Sequence, residues 1–170
     1  GADLRIDSEV GKGTVFLIHM KLKIDRTSAG EEKEQINSIP DLTGKRLLIV
    51  EDNKINMEII VSILQRTKAE IIQAWNAEDA LKIFEESEEG FFDLILFDIQ
   101  LPGMNGYEAV KMIRSMARSD ASKVPVFAMT ANAFSQDVEQ SIRCGMNDHI
   151  SKPIDVGVLY QKLQNQFVQK

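Results

Sequence analysis

The chain has a single cysteine, Cys144, among its 170 residues. That excludes an intramolecular disulfide and any cysteine-ligated zinc cluster, and it fits a reducing compartment such as the cytoplasm. Cys144 itself reads as a small, buried apolar residue. Long hydrophobic runs are missing too. No apolar stretch approaches the roughly 20 residues that a membrane-spanning helix needs, and the N-terminus carries no signal-peptide pattern. Positive charge is in deficit. With 20 Lys and Arg against 26 Asp and Glu, the formal net charge is −6, which argues against a nonspecific nucleic-acid binder. Neither direct nucleic-acid contact nor membrane contact is expected of this chain. It opens on Gly1 rather than Met, as a fragment of a longer protein would.

What is present suffices for one ordinary core and an appendage: 44% of the residues are hydrophobic and 27% are charged. Residues 1–24 hold two strand-like runs, ADLRIDSE and TVFLIHMKLK, joined across the turn-forming VGKG. An isolated hairpin is marginal in water, so this one reads as cut from a larger sheet or resting on a neighbour. Residues 25–43 are polar, charged and poor in large apolar side chains, the composition of a linker. The main domain is expected over residues 44–170.

From Gly44 onward, strand and helix patterns alternate. RLLIV (46–50), AEIIQA (69–74), LILF (94–97), VPVFAM (124–129) and the weaker DHIS (148–151) read as strands. Between them lie helical stripes taken as core-facing. They are Ile55, Ile59, Ile60, Ile63 and Leu64; Ala80, Leu81 and Phe84 behind the N-cap Asn76; and Val110, Ile113 and Met116 within a helix from Tyr107 to Arg118. A fourth helix is expected from Ala133 to Cys144, and a fifth carries Leu159, Leu163 and Phe167 behind Asp155. Five strand–helix units imply an α/β fold with right-handed crossovers and a parallel sheet covered on both faces.

The strand ends carry the chemistry. LLIVEDN (47–53) runs four apolar residues straight into Glu51 and Asp52. Asp98 follows LILF, Thr130 follows VFAM, and Lys152 closes the last strand. In an open parallel sheet the functional site lies beyond the carboxyl ends of the strands, where strand order reverses. Three carboxylates, a hydroxyl and an ammonium group would therefore meet in one crevice. Clustered carboxylates either raise one another's pKa or take up a cation. An oxygen-only ligand set points to a hard ion, Mg²⁺ or Mn²⁺, and a site of that kind suits phosphate. One carboxylate then serves as nucleophile toward phosphorus. Asp98 is the choice, because it stands alone at the end of its strand ahead of an exposing turn, LPGMNG.

LLIVEDN, LILFDIQLPGMNG, VFAMTANA and CGMNDHISKPI together resemble the receiver domain of two-component response regulators, particularly receivers attached to hybrid histidine kinases. The resemblance covers roughly residues 44–168. It implies a flavodoxin-like, doubly wound (βα)5 fold in which Asp98 accepts a phosphoryl group from a phosphohistidine. It implies that Asp52, Asp98 and the backbone carbonyl of Gln100 hold Mg²⁺, with Glu51 assisting through water. Thr130 and Lys152 would contact the phosphoryl group, and the Lys152–Pro153 bond is expected to be cis. The implied partner is a histidine-kinase dimerisation and phosphotransfer domain or a histidine phosphotransfer protein. SEVGKGTVFLIHMKL resembles the closing strands of a histidine-kinase ATP-binding domain, but the boxes that hold ATP are missing. A P-loop reading of GKGT fails because the upstream glycine and the strand–helix setting are absent.

Some positions depart from the commonest pattern of that family. His149 stands where Tyr or Phe is usual, three residues before the lysine, and either switches with Thr130 or is an exposed strand-end residue. Asn105 replaces the more frequent Asp of the turn and suits it equally. Gln100 and Asn132 flank the approach of a hydrolytic water and would tune phosphoryl lifetime. Phosphorylation is expected to strengthen contacts on the face formed by the fourth helix, the last strand and the fifth helix. The alternatives are a pseudo-receiver acting only as an interaction module, a flavin-binding module and an aspartyl phosphatase. The complete acid, hydroxyl and lysine set opposes the first. The acidic loop EDNKIN opposes the second, and Gln100, where the phosphatases place a second acid, opposes the third.

Overall fold

A computed structural model describes residues 2–9, 11, 13–20, 39–131 and 140–167. The chain divides into two compact units, Gly1–Asn37 and Ser38–Lys170.

In the first unit, β1 (Ala2–Glu9) and β2 (Gly13–Met20) form an antiparallel hairpin with Glu9 opposite Gly13. The tight connection requires left-handed backbone, supplied by Gly11 at φ 84°. Leu4, Ile6, Phe16 and Ile18 pair across one face, and all four are more than half exposed.

The second unit is an open parallel sheet. β3 (Arg46–Val50), β4 (Glu70–Ala74), β5 (Leu94–Asp98), β6 (Val126–Thr130) and β7 (Asp148–Ser151) lie in the order β4-β3-β5-β6-β7, as expected of a flavodoxin-like doubly wound fold. Side chains of each strand alternate between two cores. Leu48, Val50, Ile95, Phe97, Val126 and Ala128 face α2 (Ala77–Glu86) and α3 (Gly106–Ser115). Leu47, Ile49, Leu96, Phe127, Met129 and Ile150 face α1 (Lys54–Gln65) and α5 (Val156–Phe167). Burial on both faces explains why these strands read as continuous apolar runs. Residues 140–143 are helical and form the described part of α4; the rest of the expected fourth helix lies outside the described residues.

Three expectations need correction. Ile55 and Ile59 are not core residues: they are 67% and 50% exposed, while Met57, Ile60 and Leu64 are buried. At 3.6 residues per turn, Ile55 and Ile59 fall on the side of α1 turned away from the sheet. The third helix stops before Arg118, because Met116 turns to extended backbone (ψ 142°). Arg118 instead donates to the carbonyls of Phe84, Glu85, Ser87 and Glu88, closing the C-terminal end of α2. Leu42, within the stretch expected as linker, is buried, and its N–H donates to Thr67 O at 2.7 Å.

Candidate functional site

Strand order reverses beside β3, whose neighbours are β4 and β5, so the crevice opens at the carboxyl ends of β3 and β5. Glu51 and Asp52 follow β3, Asp98 ends β5, Thr130 ends β6, and Lys152 follows β7. Parallel register sets Val50 beside Phe97, Asp98 beside Met129 and Thr130 beside Ser151, which brings all of these ends to one edge of the sheet.

Glu51 is fully buried and Asp98 nearly so, while Asp52 is exposed at the rim. Each of the three offers a carboxylate oxygen within 4.8 Å of the others. Lys152 enters between the two buried acids: its Nζ donates to Glu51 Oε2 at 2.6 Å and to Asp98 Oδ2 at 2.7 Å. The other oxygens are also held, Asp98 Oδ1 by the N–H of Gln100 at 3.0 Å and Glu51 Oε1 by Asn56 Nδ2 at 2.9 Å. Burial pushes the Asp98 carboxyl above its ordinary value, more than its hydrogen bond to Lys152 pulls it down. Burial also opposes the Lys152 charge, but the two carboxylates outweigh it and hold the ammonium above its usual range. Two buried acids thus share one ammonium, and Asp52 adds a further charge at the rim. An oxygen-only donor set with surplus negative charge fits a hard divalent cation.

The backbone around Asp98 has little slack. A Cβ on Gly106 would lie 2.4 Å from Asp98 O and 2.9 Å from Ile99 Cα, so only glycine fits where α3 returns past the strand end. Asn105, one residue earlier, caps α3 in a reciprocal pair with Glu108. Thr130 is buried, and its carbonyl accepts from Lys152 N at 2.7 Å. The Lys152–Pro153 bond is cis.

Of the remaining candidates, Gln100 is exposed and meets the cluster through its backbone N–H. His149 is half-buried on β7 opposite Ala128 and lines a 220 Å³ cavity with Ser141, Ile142, Met146, Asn147 and Asp148, to which Glu51, Asp52 and Asp98 do not contribute. Asn132 lies outside the described residues. Sequence reasoning missed Asn53 and Asn56. Asn53 caps α1, accepting from the N–H groups of Ile55 and Asn56 at 2.9 and 3.2 Å. The signal was available: an Asn directly after the two acids and a second one three residues on.

Fold and site together define an α/β domain of flavodoxin-like topology with a cluster of three carboxylates and a lysine at its switch point. The family model of the response regulator receiver domain matches residues 47–164. The aerobic respiration control sensor protein ArcB of Escherichia coli (strain K12) is 33% identical over 162 residues, which cover 94% of this chain and 20% of that protein. Hybrid signal transduction histidine kinase L of Dictyostelium discoideum is 37% identical over 130 residues, 76% of this chain and 7% of that protein. The receiver domain of sensor histidine kinase PA1611 from Pseudomonas aeruginosa PAO1, solved with a magnesium ion coordinated in its active site cleft, superposes with TM-score 0.64 at 33% identity. The match covers 73% of this chain and 98% of that one. The Saccharomyces cerevisiae receiver domain of Ssk1, in complex with the histidine phosphotransfer protein Ypd1, gives TM-score 0.63 at 32% identity over 76% of this chain and 90% of that one. The chain belongs to the response regulator receiver domain family, the phosphorelay modules of two-component signalling. It spans a fifth or less of the length of these curated relatives.

Proposed function

We propose that Asp98 is the phosphoacceptor of a Mg²⁺-dependent relay step. The single observation that carries this is the Glu51–Lys152–Asp98 cluster at the switch point, with buried acids at 2.6 and 2.7 Å from one ammonium. An Asp98 carboxylate oxygen attacks phosphorus, a P–O bond forms, the P–N bond of the donor phosphohistidine breaks, and the imidazole leaves with the electron pair. Asp52, Asp98 and the Gln100 carbonyl would hold the cation, with Glu51 supporting it. When bound, the cation neutralises phosphoryl oxygens as charge develops. Lys152, displaced from its carboxylates, and the Thr130 hydroxyl take the remaining oxygens. The chain is then no kinase by itself; it catalyses its own aspartyl phosphorylation, and the parent protein is a sensor histidine kinase.

The donor is a histidine-bearing helical domain, either of the kinase or of a separate histidine phosphotransfer protein. Its docking face is the outward side of α1. Ile55 and Ile59 are exposed on that side, and Ile59 lines a 430 Å³ groove with Asn56, Ile60, Pro153, Ile154 and Lys152, the lysine of the acid cluster. Thr130 and His149 transmit the phosphorylated state toward the face of α4, β7 and α5, and Gln100 and Asn132 set its lifetime. The hairpin is a remnant of the kinase's ATP-binding sheet, which the extent of the ArcB match supports. A cytoplasmic location belongs to the same reading, supported by the buried free thiol of Cys144; no described helix is long and apolar enough to cross a membrane.

The test is intact-protein mass after incubation with acetyl phosphate and Mg²⁺. A hydroxylamine-sensitive phosphoryl adduct on the parent chain, absent from Asp98→Asn, is expected. An adduct that persists in Asp98→Asn removes Asp98 from its role.

A further inference from the structure

Glu51 is the most deeply buried acid of the site, and each of its oxygens has one named donor. Oε2 accepts from Lys152 at 2.6 Å and Oε1 from Asn56 at 2.9 Å. The two donors differ in kind. Lys152 is a long side chain shared with Asp98, so it is free to exchange carboxylates for other oxygens. Asn56 is short and anchored. Asn53 accepts from its N–H at 3.2 Å, and Met57 N donates to Asn53 O at 2.9 Å, fixing the first turn of α1 against the end of β3. On the other flank, Glu51 N donates to Ala74 O at 3.1 Å, which ties the carboxylate's own backbone to β4. An ionised carboxylate only accepts, so the amide must present Nδ2, not Oδ1, to Glu51.

We propose that Asn56 is a positioning residue for the acid cluster: its amide fixes the Glu51 carboxylate so that Oε2 stays turned into the crevice, toward Lys152 and an incoming divalent cation. This rests on the cation site of the proposed function and extends it to a residue on the helix. It also gives α1 a second task. The helix that borders the donor groove holds one acid of the reaction centre in place, because Asn56 lines that groove and bonds Glu51 at once. Without the amide, Oε1 of the fully buried Glu51 side chain is left without that donor. The carboxylate then turns to find another, and the inward oxygen is lost to the cation.

The test is a double-mutant cycle read by calorimetric titration with MgCl₂, with thermal melts confirming that each variant folds. Asn56→Ala weakens Mg²⁺ binding about tenfold, the lower end of what loss of an outer-shell partner costs. In a Glu51→Ala background the same substitution changes the affinity by less than about twofold, because an effect exerted through Glu51 vanishes with it. A packing role would give equal losses in both backgrounds. Asn56→Gln, which keeps the amide on a longer arm, retains more affinity than Asn56→Ala and serves if the alanine variant does not fold. Equal losses in the two backgrounds, or no loss in Asn56→Ala, overturn the proposal. A parent chain that binds Mg²⁺ but forms no adduct with acetyl phosphate removes the acceptor role and leaves the Asn56 result standing. A parent chain that binds no Mg²⁺ removes both.

Discussion

Lys152→Met tests the charge balance of the site most directly. The substitution keeps an unbranched apolar stem of similar length but withdraws the ammonium from Glu51 and Asp98, whose side chains are 1% and 4% exposed. Removing one partner of a buried ion pair costs about 3–5 kcal/mol. Protonation sets a ceiling: carrying one carboxyl from its ordinary value of about 4 up to pH 7 costs about 1.4 kcal/mol per pH unit, or about 4 kcal/mol. The measured range already includes relief of the ammonium's own burial, so the net loss at pH 7 lies between its lower end and the ceiling, about 3–4 kcal/mol. A domain of this size melts about 3 °C lower per kcal/mol, so the midpoint in EDTA should fall by about 10 °C. The pH dependence has a definite sign. In the variant the Asp98 carboxyl keeps the upward push of burial but loses the Lys152 hydrogen bond that opposes it, so the folded chain binds a proton more tightly and the deficit shrinks on acidification from about pH 7 to about pH 5. Added Mg²⁺ supplies the missing positive charge, so saturating Mg²⁺ raises the midpoint more in the variant than in the parent. Circular-dichroism melts in EDTA and in Mg²⁺ at both pH values read all three effects. A variant as stable as the parent in EDTA at pH 7, or a deficit that grows on acidification, would refute the charge balance inferred from the geometry.

Three further outcomes are expected. Gly106→Ala forces a Cβ to 2.4 Å from Asp98 O, so it should cost about 2 kcal/mol by urea unfolding and slow adduct formation with acetyl phosphate. Ile59→Glu, at a half-exposed position, should change stability by less than about 0.5 kcal/mol. Yet it should lower phosphoryl transfer from a phosphorylated histidine phosphotransfer protein about tenfold while labelling by acetyl phosphate is unchanged; equal loss with both donors would move the docking face elsewhere. Because burial raises the Asp98 carboxyl, its ionised form is the disfavoured one in the metal-free fold, so stability in EDTA should rise as pH falls through that raised value. Mg²⁺ affinity should run the opposite way, and in calorimetry Asp98→Asn should flatten its dependence on pH.

Much of the fold was legible because burial imposes a period. The five sheet strands fall within two residues of their expected positions: the central β3, β5 and β6, covered on both faces, are nearly continuous apolar runs, while the edge strands β4 and β7 keep polar positions and read more weakly. The acids, threonine and lysine were legible for a related reason: a charged residue directly after such a run can only stand at the strand's end. The errors share one cause. Ile55 and Ile59 were assigned to the core because a period of 3.6 identifies an apolar stripe without saying which way it faces. Arg118 was assigned to a helix because its attachment to the end of α2 joins residues 30 or more positions apart.

By itself the sequence determined the α/β class, the strand ends and the set of chemical groups at the site. These follow from local pattern, where a residue's neighbours along the chain dictate its state. Only the tertiary structure decided that Lys152 bridges Glu51 and Asp98, that Asn56 donates to the second oxygen of Glu51, and that Gly106 must lack a side chain. The physical reason is that hydrogen bonds and close contacts depend on distances of a few tenths of an ångström between segments far apart in the chain, and strand order, register and helix rotation set those distances together.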